Sequence, residues 1–226
     1  MKRRMLIGTI IATLLFSTVA LAEGSIEVTD KTTFLIPGKK IGYFYAKIEN
    51  TGDAPIGVDN GKLVVFSDKD DILSTSDYVS SYPSRILLNP GEYTYLKESM
   101  WDDALEGQTL GDVKFSIEGT DRSEEVESIP CEVTFALNGS YDNYAYVTFT
   151  NDSDETRYDY YIDIALFDEE GNLIYVDTTS HDSVGVHPGS TITVKNYVDS
   201  NNLEYFAANG ITVSSADAVV YYKPDR

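Results

Sequence analysis

The chain predicts an all-β protein made of two tandem immunoglobulin-like β-sandwich domains, and three observations carry that expectation. Residues 33–73 and 134–174 align without a gap at a fixed offset of 101 positions. Eight aligned pairs are identical: Thr33/Thr134, Phe34/Phe135, Gly38/Gly139, Tyr43/Tyr144, Tyr45/Tyr146, Asn50/Asn151, Asp53/Asp154 and Phe66/Phe167. Unrelated stretches of that length and ordinary composition would share about two or three. A period near 100 residues is too long for a solenoid unit and fits one small domain. Apolar and polar residues alternate with period two through most of the chain, and turn-forming residues recur at about 8 to 12-residue intervals, as in a sandwich of short strands.

At the N-terminus, Lys2, Arg3 and Arg4 precede an apolar run over residues 5–16, and Ala20-Leu21-Ala22 stands before Glu23; this is the layout of a secretory signal peptide. The chain therefore divides into a leader (1–22), a first sandwich (23–122) and a second (123–226), and a secreted, extracellular protein is expected. The apolar run is too short to span a bilayer, and no second long apolar stretch gives the mature chain a transmembrane segment. Glu23 occupies the place where a lipoprotein needs cysteine, and residues 222–226 carry no hydrophobic sorting segment.

In the first copy Phe44, Ala46 and Ile48 alternate with Tyr43, Tyr45, Lys47 and Glu49; in the second Ala145, Val147 and Phe149 alternate with Tyr144, Tyr146, Thr148 and Thr150. The apolar sets predict core faces, and the tyrosines predict an outward face or a contact between the sandwiches. Each strand ends at an asparagine, Asn50 or Asn151, a good turn residue. The next strands, 62–66 and 163–167, run into polar turns at 67–71 and 168–172, as hairpins do. Asn89-Pro90-Gly91 and His187-Pro188-Gly189 then precede matched strands at an offset of 98, so one loop of the second copy is three residues shorter. Residues 100–105 and 203–210 each suit one or two helical turns, with Gly210 at the C-terminal cap and Trp101 expected to plug one end of the first core. Residues 113–117 and 218–222 read as closing strands. The polar stretch 118–125 is the linker candidate.

Composition restricts the chemistry. Thirty-seven acidic residues against 17 basic ones give a net charge of −20, which deepens to −23 without the three basic residues of the leader. Charge of that sign disfavours nucleic acid and anionic lipid as partners. Cys131 is the sole cysteine, so no intramolecular disulfide forms. It shares a strand face with Val133, Phe135 and Leu137, which predicts a small buried apolar group. The two histidines, His181 and His187, lie six positions apart with one distant cysteine, which fits no compact zinc pattern. A nucleophilic set around His181 with Asp177 or Asp182 has no distinctive spacing. Carboxylate pairs of the kind glycoside hydrolysis uses are unavoidable among 37 acids and point nowhere in particular. Asp68, Asp70 and Asp71, and Asp168, Glu169, Glu170 and Asn172, concentrate oxygen atoms without the ligand spacing of a calcium loop. A non-catalytic chain with no metal or cofactor is expected.

Tyrosine is the residue type that suggests binding. Of 17 tyrosines, Tyr144 and Tyr146 with the cluster Tyr158, Tyr160 and Tyr161 are the candidate ligand-binding residues, because outward aromatic rings stack on sugars and anchor protein partners. The opposing structural reading is cross-strand packing, for which tyrosine is well suited.

Residues 164–168 read Ile-Ala-Leu-Phe-Asp, followed by Glu169-Glu170-Gly171-Asn172, with residues 146–151 before and Pro188-Gly189 after. This resembles the FxLYD-type domains of bacterial extracytoplasmic proteins. The first copy is a weaker match, Leu-Val-Val-Phe-Ser over 63–67, with Ser67 where the pattern has Asp. The resemblance implies an immunoglobulin-like fold on an exported protein and supplies no catalytic residues. The expected function is an extracellular binding or adhesion scaffold for a protein or cell-envelope component. A glycan-binding module is the alternative, and a hydrolase or a structural spacer stands behind both.

Overall fold

The structure, a computed structural model, describes residues 24–79, 86–121, 127–137, 142–158, 160–181 and 185–222; the expected leader and residues 122–125 of the expected linker lie outside them. The described residues are almost all β. The first half holds β1 (Ile26–Leu35), β2 (Ile41–Asn50), β3 (Ile56–Val58), β4 (Gly61–Ser67), β5 (Ile72–Val79), β6 (Ile86–Leu88), β7 (Tyr93–Trp101), β8 (Leu110–Ser116) and β9 (Gly119–Asp121). The second holds β10 (Glu127–Ile129), β11 (Cys131–Leu137), β12 (Asn143–Thr150), β13 (Tyr160–Phe167), β14 (Leu173–His181), β15 (Thr191–Tyr197), α1 (Ser200–Asn209) and β16 (Ser215–Tyr222). Sheet β1-β2-β7 corresponds to β11-β12-β15, and β5-β4-β8 corresponds to β14-β13-β16, where β10 adds beyond β16; β6-β3-β9 belongs to the first half alone. Each of these five sheets takes its strands from one half.

The cores lie where alternation places them. Phe44, Ala46 and Ile48 pack with Leu63 and Val65 in the first half, and Ala145, Val147 and Phe149 pack with Tyr160, Ile162 and Ile164 in the second. Asn50 and Asn151 do more than turn the chain. Each is buried, and each Nδ2 donates to two carbonyls: Ala54 (2.8 Å) and Leu88 (2.9 Å) in one copy, Glu155 (2.8 Å) and Val186 (2.7 Å) in the other. Their Oδ1 atoms accept from the N–H of Gly52 and Ser153. An amide with two donors and an acceptor is needed to satisfy these loop groups away from water. The Pro-Gly turns also agree: Gly91 and Gly189 have φ of 79° and 70°, the left-handed geometry that a type II turn requires at its third residue.

Three expectations need correction. The identical pairs Thr33/Thr134 and Phe34/Phe135 are not equivalent in space. Phe34 lies opposite Tyr43, whereas Phe135 lies opposite Ala145, the counterpart of Phe44. A one-residue slip in strand pairing moves every side chain to the other face, so Phe34 joins the tyrosine side of its sheet and Phe135 the core side. Trp101 does not plug the first core; it is 67% exposed, and the plug is Leu105 from the short 3-10 turn Asp103–Leu105, whose N-cap is Asp102. Within the expected linker, Gly119–Asp121 is β9, paired with β3. The second copy does form a helix, α1, capped by Asp199 at its start and by Gly210 in the left-handed conformation at its end.

The two halves share a buried contact. Phe34, Tyr43, Tyr45 and Tyr95 of the first pack with Leu166, Leu173, Tyr175, Val198 and Phe206 of the second, and Phe34 stacks on Tyr205 at 4.2 Å. Tyrosine hydroxyls donate across it: Tyr43 to Asp199 (2.5 Å), Tyr45 to Asn202 (2.8 Å), and Tyr93 and Tyr95 to Asp217 (2.7 and 2.6 Å). Lys97 pairs with Asp177, and the Thr94 hydroxyl donates to buried Asp163 (2.5 Å). Burial pushes the Asp163 carboxyl up to about 7, with repulsion from Asp177 in the same direction and with Thr94, Thr178 and Lys97 opposing.

These contacts can be tested at two points. Replacing Asn151 or Asn50 by Ala leaves two buried carbonyls and an N–H without their partner, and denaturant unfolding should show a loss of about 2–4 kcal/mol at either site. For Asp163, the folded pKa lies above its unfolded value of 3.8, so the folded state holds the proton more tightly and stability falls as pH rises through the interval between the two. Asp163→Asn retains an acceptor for Thr94 without a charge. Melting temperatures should coincide with wild type near pH 4 and exceed it at pH 8; equal values at pH 8 would contradict the assignment.

Candidate binding face

Sheet β11-β12-β15 turns one side to its core and the other to solvent. Residues directly opposite in an antiparallel pair share a face, and the register places Tyr146 opposite Lys195 and Thr134, Tyr144 opposite Tyr197, and Thr148 opposite Thr193. Thr134, Thr193 and Lys195 are exposed, Tyr144 and Tyr146 half-buried, and Tyr197 is 49% exposed. The Tyr144 ring lies 6.2 Å from that of Tyr146, inclined 48°, and 5.7 Å from that of Tyr197, inclined 71°. The Lys195 ammonium sits 4.8 Å from the Tyr144 ring centre, a cation–π position. Beside them, Thr148 bonds to Thr193 and Thr150 to Thr191, each at 2.8 Å. The face thus offers aromatic area, hydroxyl donors, a cation and, opposite Thr148, the exposed carboxylate of Glu132.

The five tyrosines picked from the sequence do not form one site. Tyr144 and Tyr146 are neighbours on this face. Tyr158 is 51% exposed but sits elsewhere, with its ring against Gly185. Tyr160 and Tyr161 are corrected to buried structural residues, because β13 is covered on both sides and period-two geometry sends adjacent side chains to opposite ones. Tyr160 packs on Phe149 (4.8 Å) inside the second core. Tyr161 stacks on Tyr221 (5.6 Å) against the core of the first half. Sequence reasoning missed Lys195 and Tyr197, although the 98-residue offset aligns Lys195 with Lys97.

The other candidates have local roles. Asp168 closes its own hairpin: Oδ1 accepts from the N–H of Glu170 (3.1 Å) and Asn172 (2.8 Å), and Oδ2 from the Asn172 amide (2.9 Å). Slight burial acts to raise its pKa, but these bonds and one from Gly171 hold the carboxyl below its ordinary range. Ser67 does the same work in the first copy through bonds from Lys69 and Asp71 N–H, so Ser and Asp at this aligned position are interchangeable turn caps. Among the described residues no three His, Cys, Asp or Glu side chains converge as metal ligands. His187 is exposed and bonds Thr156 through Nδ1 at 2.9 Å; the side chain of His181 lies outside the described ones. Cys131 is half-buried and its Sγ contacts the Ala218 carbonyl at 3.3 Å. It lines a cleft of about 380 Å³ with Tyr93, Thr94 and Asp217. Burial, and then the charge of Asp217, push its thiol up to about 11, which keeps it protonated and weakly nucleophilic at neutral pH.

Among the described residues no helix is long and apolar enough to cross a membrane. No protein-family model matches the chain, and no curated protein sequence matches it. Among solved structures it is similar to a red sea bream transglutaminase, with a TM-score of 0.25 and 10% identity, over 77% of this chain and 26% of that one. The expectation of a non-catalytic chain is not sustained: that neighbour is an enzyme, and likeness at this level neither gives this chain catalysis nor takes it away. Likeness at this level carries no catalytic residue across, and the chain spans about a quarter of the neighbour's length.

Proposed function

We propose that the chain is a secreted bacterial binding or adhesion scaffold of FxLYD type, which holds a protein or cell-envelope component on the Tyr144–Tyr146–Lys195–Tyr197 face. The leader pattern supports export. The observation that carries the binding reading is internal to the molecule. The corresponding face of the first half, with Tyr43, Tyr45 and Lys97 in the same cross-strand arrangement, is held against the second half by all three of those side chains. A face of that chemistry, repeated and left exposed, is suited to grip something else. Aromatic side chains at the centre of such a patch supply most of the binding energy in protein contacts. A sugar platform is less well supported, because the rings stand at 48° and 71° to one another instead of presenting one plane to a pyranose face.

An affinity capture from the producing cell's envelope and culture fluid tests this, with the full chain as bait and Tyr144→Ala/Tyr146→Ala as the control. Capture by the wild-type chain should fall at least about tenfold in the variant, the effect of losing a hot-spot pair. Equal capture would remove the tyrosine face from the function. A circular dichroism spectrum unchanged by the substitutions shows that the sheet still folds.

A further inference from the structure

The repeat identifies what the free face is built to hold. In the first half, three polar groups of the tyrosine face have defined acceptors on the second: Asp199 for Tyr43, Asn202 for Tyr45 and Asp177 for Lys97. The second half preserves three of those groups in register, Tyr144, Tyr146 and Lys195, and changes the rest of the face, with Thr191 and Thr193 in place of Tyr93 and Tyr95 and Tyr197 in place of Ser99. The Lys195 ammonium on this aromatic face is locally complementary to a carboxylate, and it must act against the long-range repulsion of a chain with net charge −20.

A second copy of this chain does not supply that partner through its own free sheet. The first half's β5-β4-β8 sheet corresponds to the acidic sheet of the second, but lysines replace two of that sheet's three acids and a serine the third, with exposed Asp77 and Asp112 nearby. Lys62 stands at the place of Asp163 and Ser76 at that of Asp177. Lys114 lies opposite Val64 as Asp217 lies opposite Ala165. Lys62 and Lys114 are exposed, and docking Lys195 against them would juxtapose like charges.

We infer that the outer face of β11-β12-β15 docks a β-sandwich domain of another protein whose sheet presents a carboxylate to Lys195 and whose adjoining helix start or loop presents hydrogen-bond acceptors to Tyr144 and Tyr146, the chemistry that the second half presents to the first through Asp177 and the start of α1. This rests on the binding reading above and names the class of partner. The apolar rings supply contact area, and the lysine sets which acidic surface is accepted.

The test uses the molecule's own acidic seat as the probe. In a full-length chain carrying Phe34→Ala/Tyr43→Ala/Tyr45→Ala/Tyr95→Ala/Lys97→Glu, the first half loses the contacts that cover the seat on the second; adding Lys195→Glu to the same chain prevents it from binding itself. Sedimentation velocity of this probe with labelled wild-type chain should show a complex, and wild-type chain bearing only Lys195→Glu should form none. Wild-type chain alone should remain monomeric. Should the probe fail to fold, a second places the acids on the first half as Lys62→Asp/Ser76→Asp/Lys114→Asp. That chain should self-associate, and Lys195→Glu should return it to monomer. Absence of association with a folded probe, or association that ignores Lys195→Glu, overturns the inference. The envelope capture separates it from the broader reading: a partner lost in Tyr144→Ala/Tyr146→Ala but retained by Lys195→Glu leaves a binding face without an acidic partner. Equal capture in the tyrosine variant removes the binding reading itself.

Discussion

The arrangement of the molecule depends on tyrosines that are buried yet hydrogen-bonded. Tyr45 and Tyr95 are almost fully enclosed, where a phenol without a partner would cost about 1–3 kcal/mol. Their hydroxyls end on Asn202 and Asp217 of the other half. Burial, reinforced by Asp217 in the case of Tyr95, drives these phenols far above their ordinary pKa, so they act as donors throughout the accessible pH range. The aromatic bodies provide the apolar contact, and the hydroxyls fix which acceptors must lie opposite. A contact of this kind couples the two halves more specifically than an all-apolar one, because displacement strands several polar groups at once.

The same constraint explains why near-identical segments meet different fates. Tyr43-x-Tyr45 and Tyr144-x-Tyr146 occupy the same positions in equivalent strands and pair with equivalent lysines. One pair is covered by α1 and the β14 edge of the second half, and the other is open. Local sequence cannot distinguish them, since the difference lies in the segment that leaves the last strand of each sheet. After β15 the chain builds the ten-residue helix α1, which brings Asp199, Asn202 and Phe206 to the contact. After β7 it builds only a three-residue turn that delivers Leu105 to its own core.

Much of the fold was legible for simple reasons. Alternation at Phe44, Ala46 and Ile48, and at Ala145, Val147 and Phe149, reports burial directly, and Pro-Gly fixes a turn by backbone geometry alone. The features that stayed hidden were relational. The slip that separates Phe34 from Phe135 depends on strand pairing, which an ungapped alignment does not contain. Trp101 looked like a core plug by size, but its place at the end of an exposed strand left Leu105 to close the core. Tyr160 and Tyr161 looked like surface aromatics because the covering of both sides of β13 arises only when the halves meet. At the candidate face, Tyr144 and Tyr146 were readable from the repeat. Lys195 was missed because a lone lysine on a strand ordinarily reads as a solubilising charge, and only its equivalence to Lys97 gives it a partner.

A head-to-tail contact between tandem copies poses a problem of closure. When one face of a unit grips a different face of the next, the operation repeats, and identical units would extend without limit through their unused faces. Here the two unused faces have diverged unequally. The free face of the second half keeps Tyr144, Tyr146 and Lys195, whereas the seat on the first half has Lys62, Ser76 and Lys114 at the places of three acids. The loss of those acids falls at one end, where Lys62 and Lys114 oppose the Lys195 of a further copy. Had both ends drifted, the exposed tyrosines would be remnants of a duplicated strand. Their retention beside a seat that has lost its acids separates the two ends: one no longer carries the groups that hold the first half, and the other keeps the tyrosines and the lysine that do the holding there.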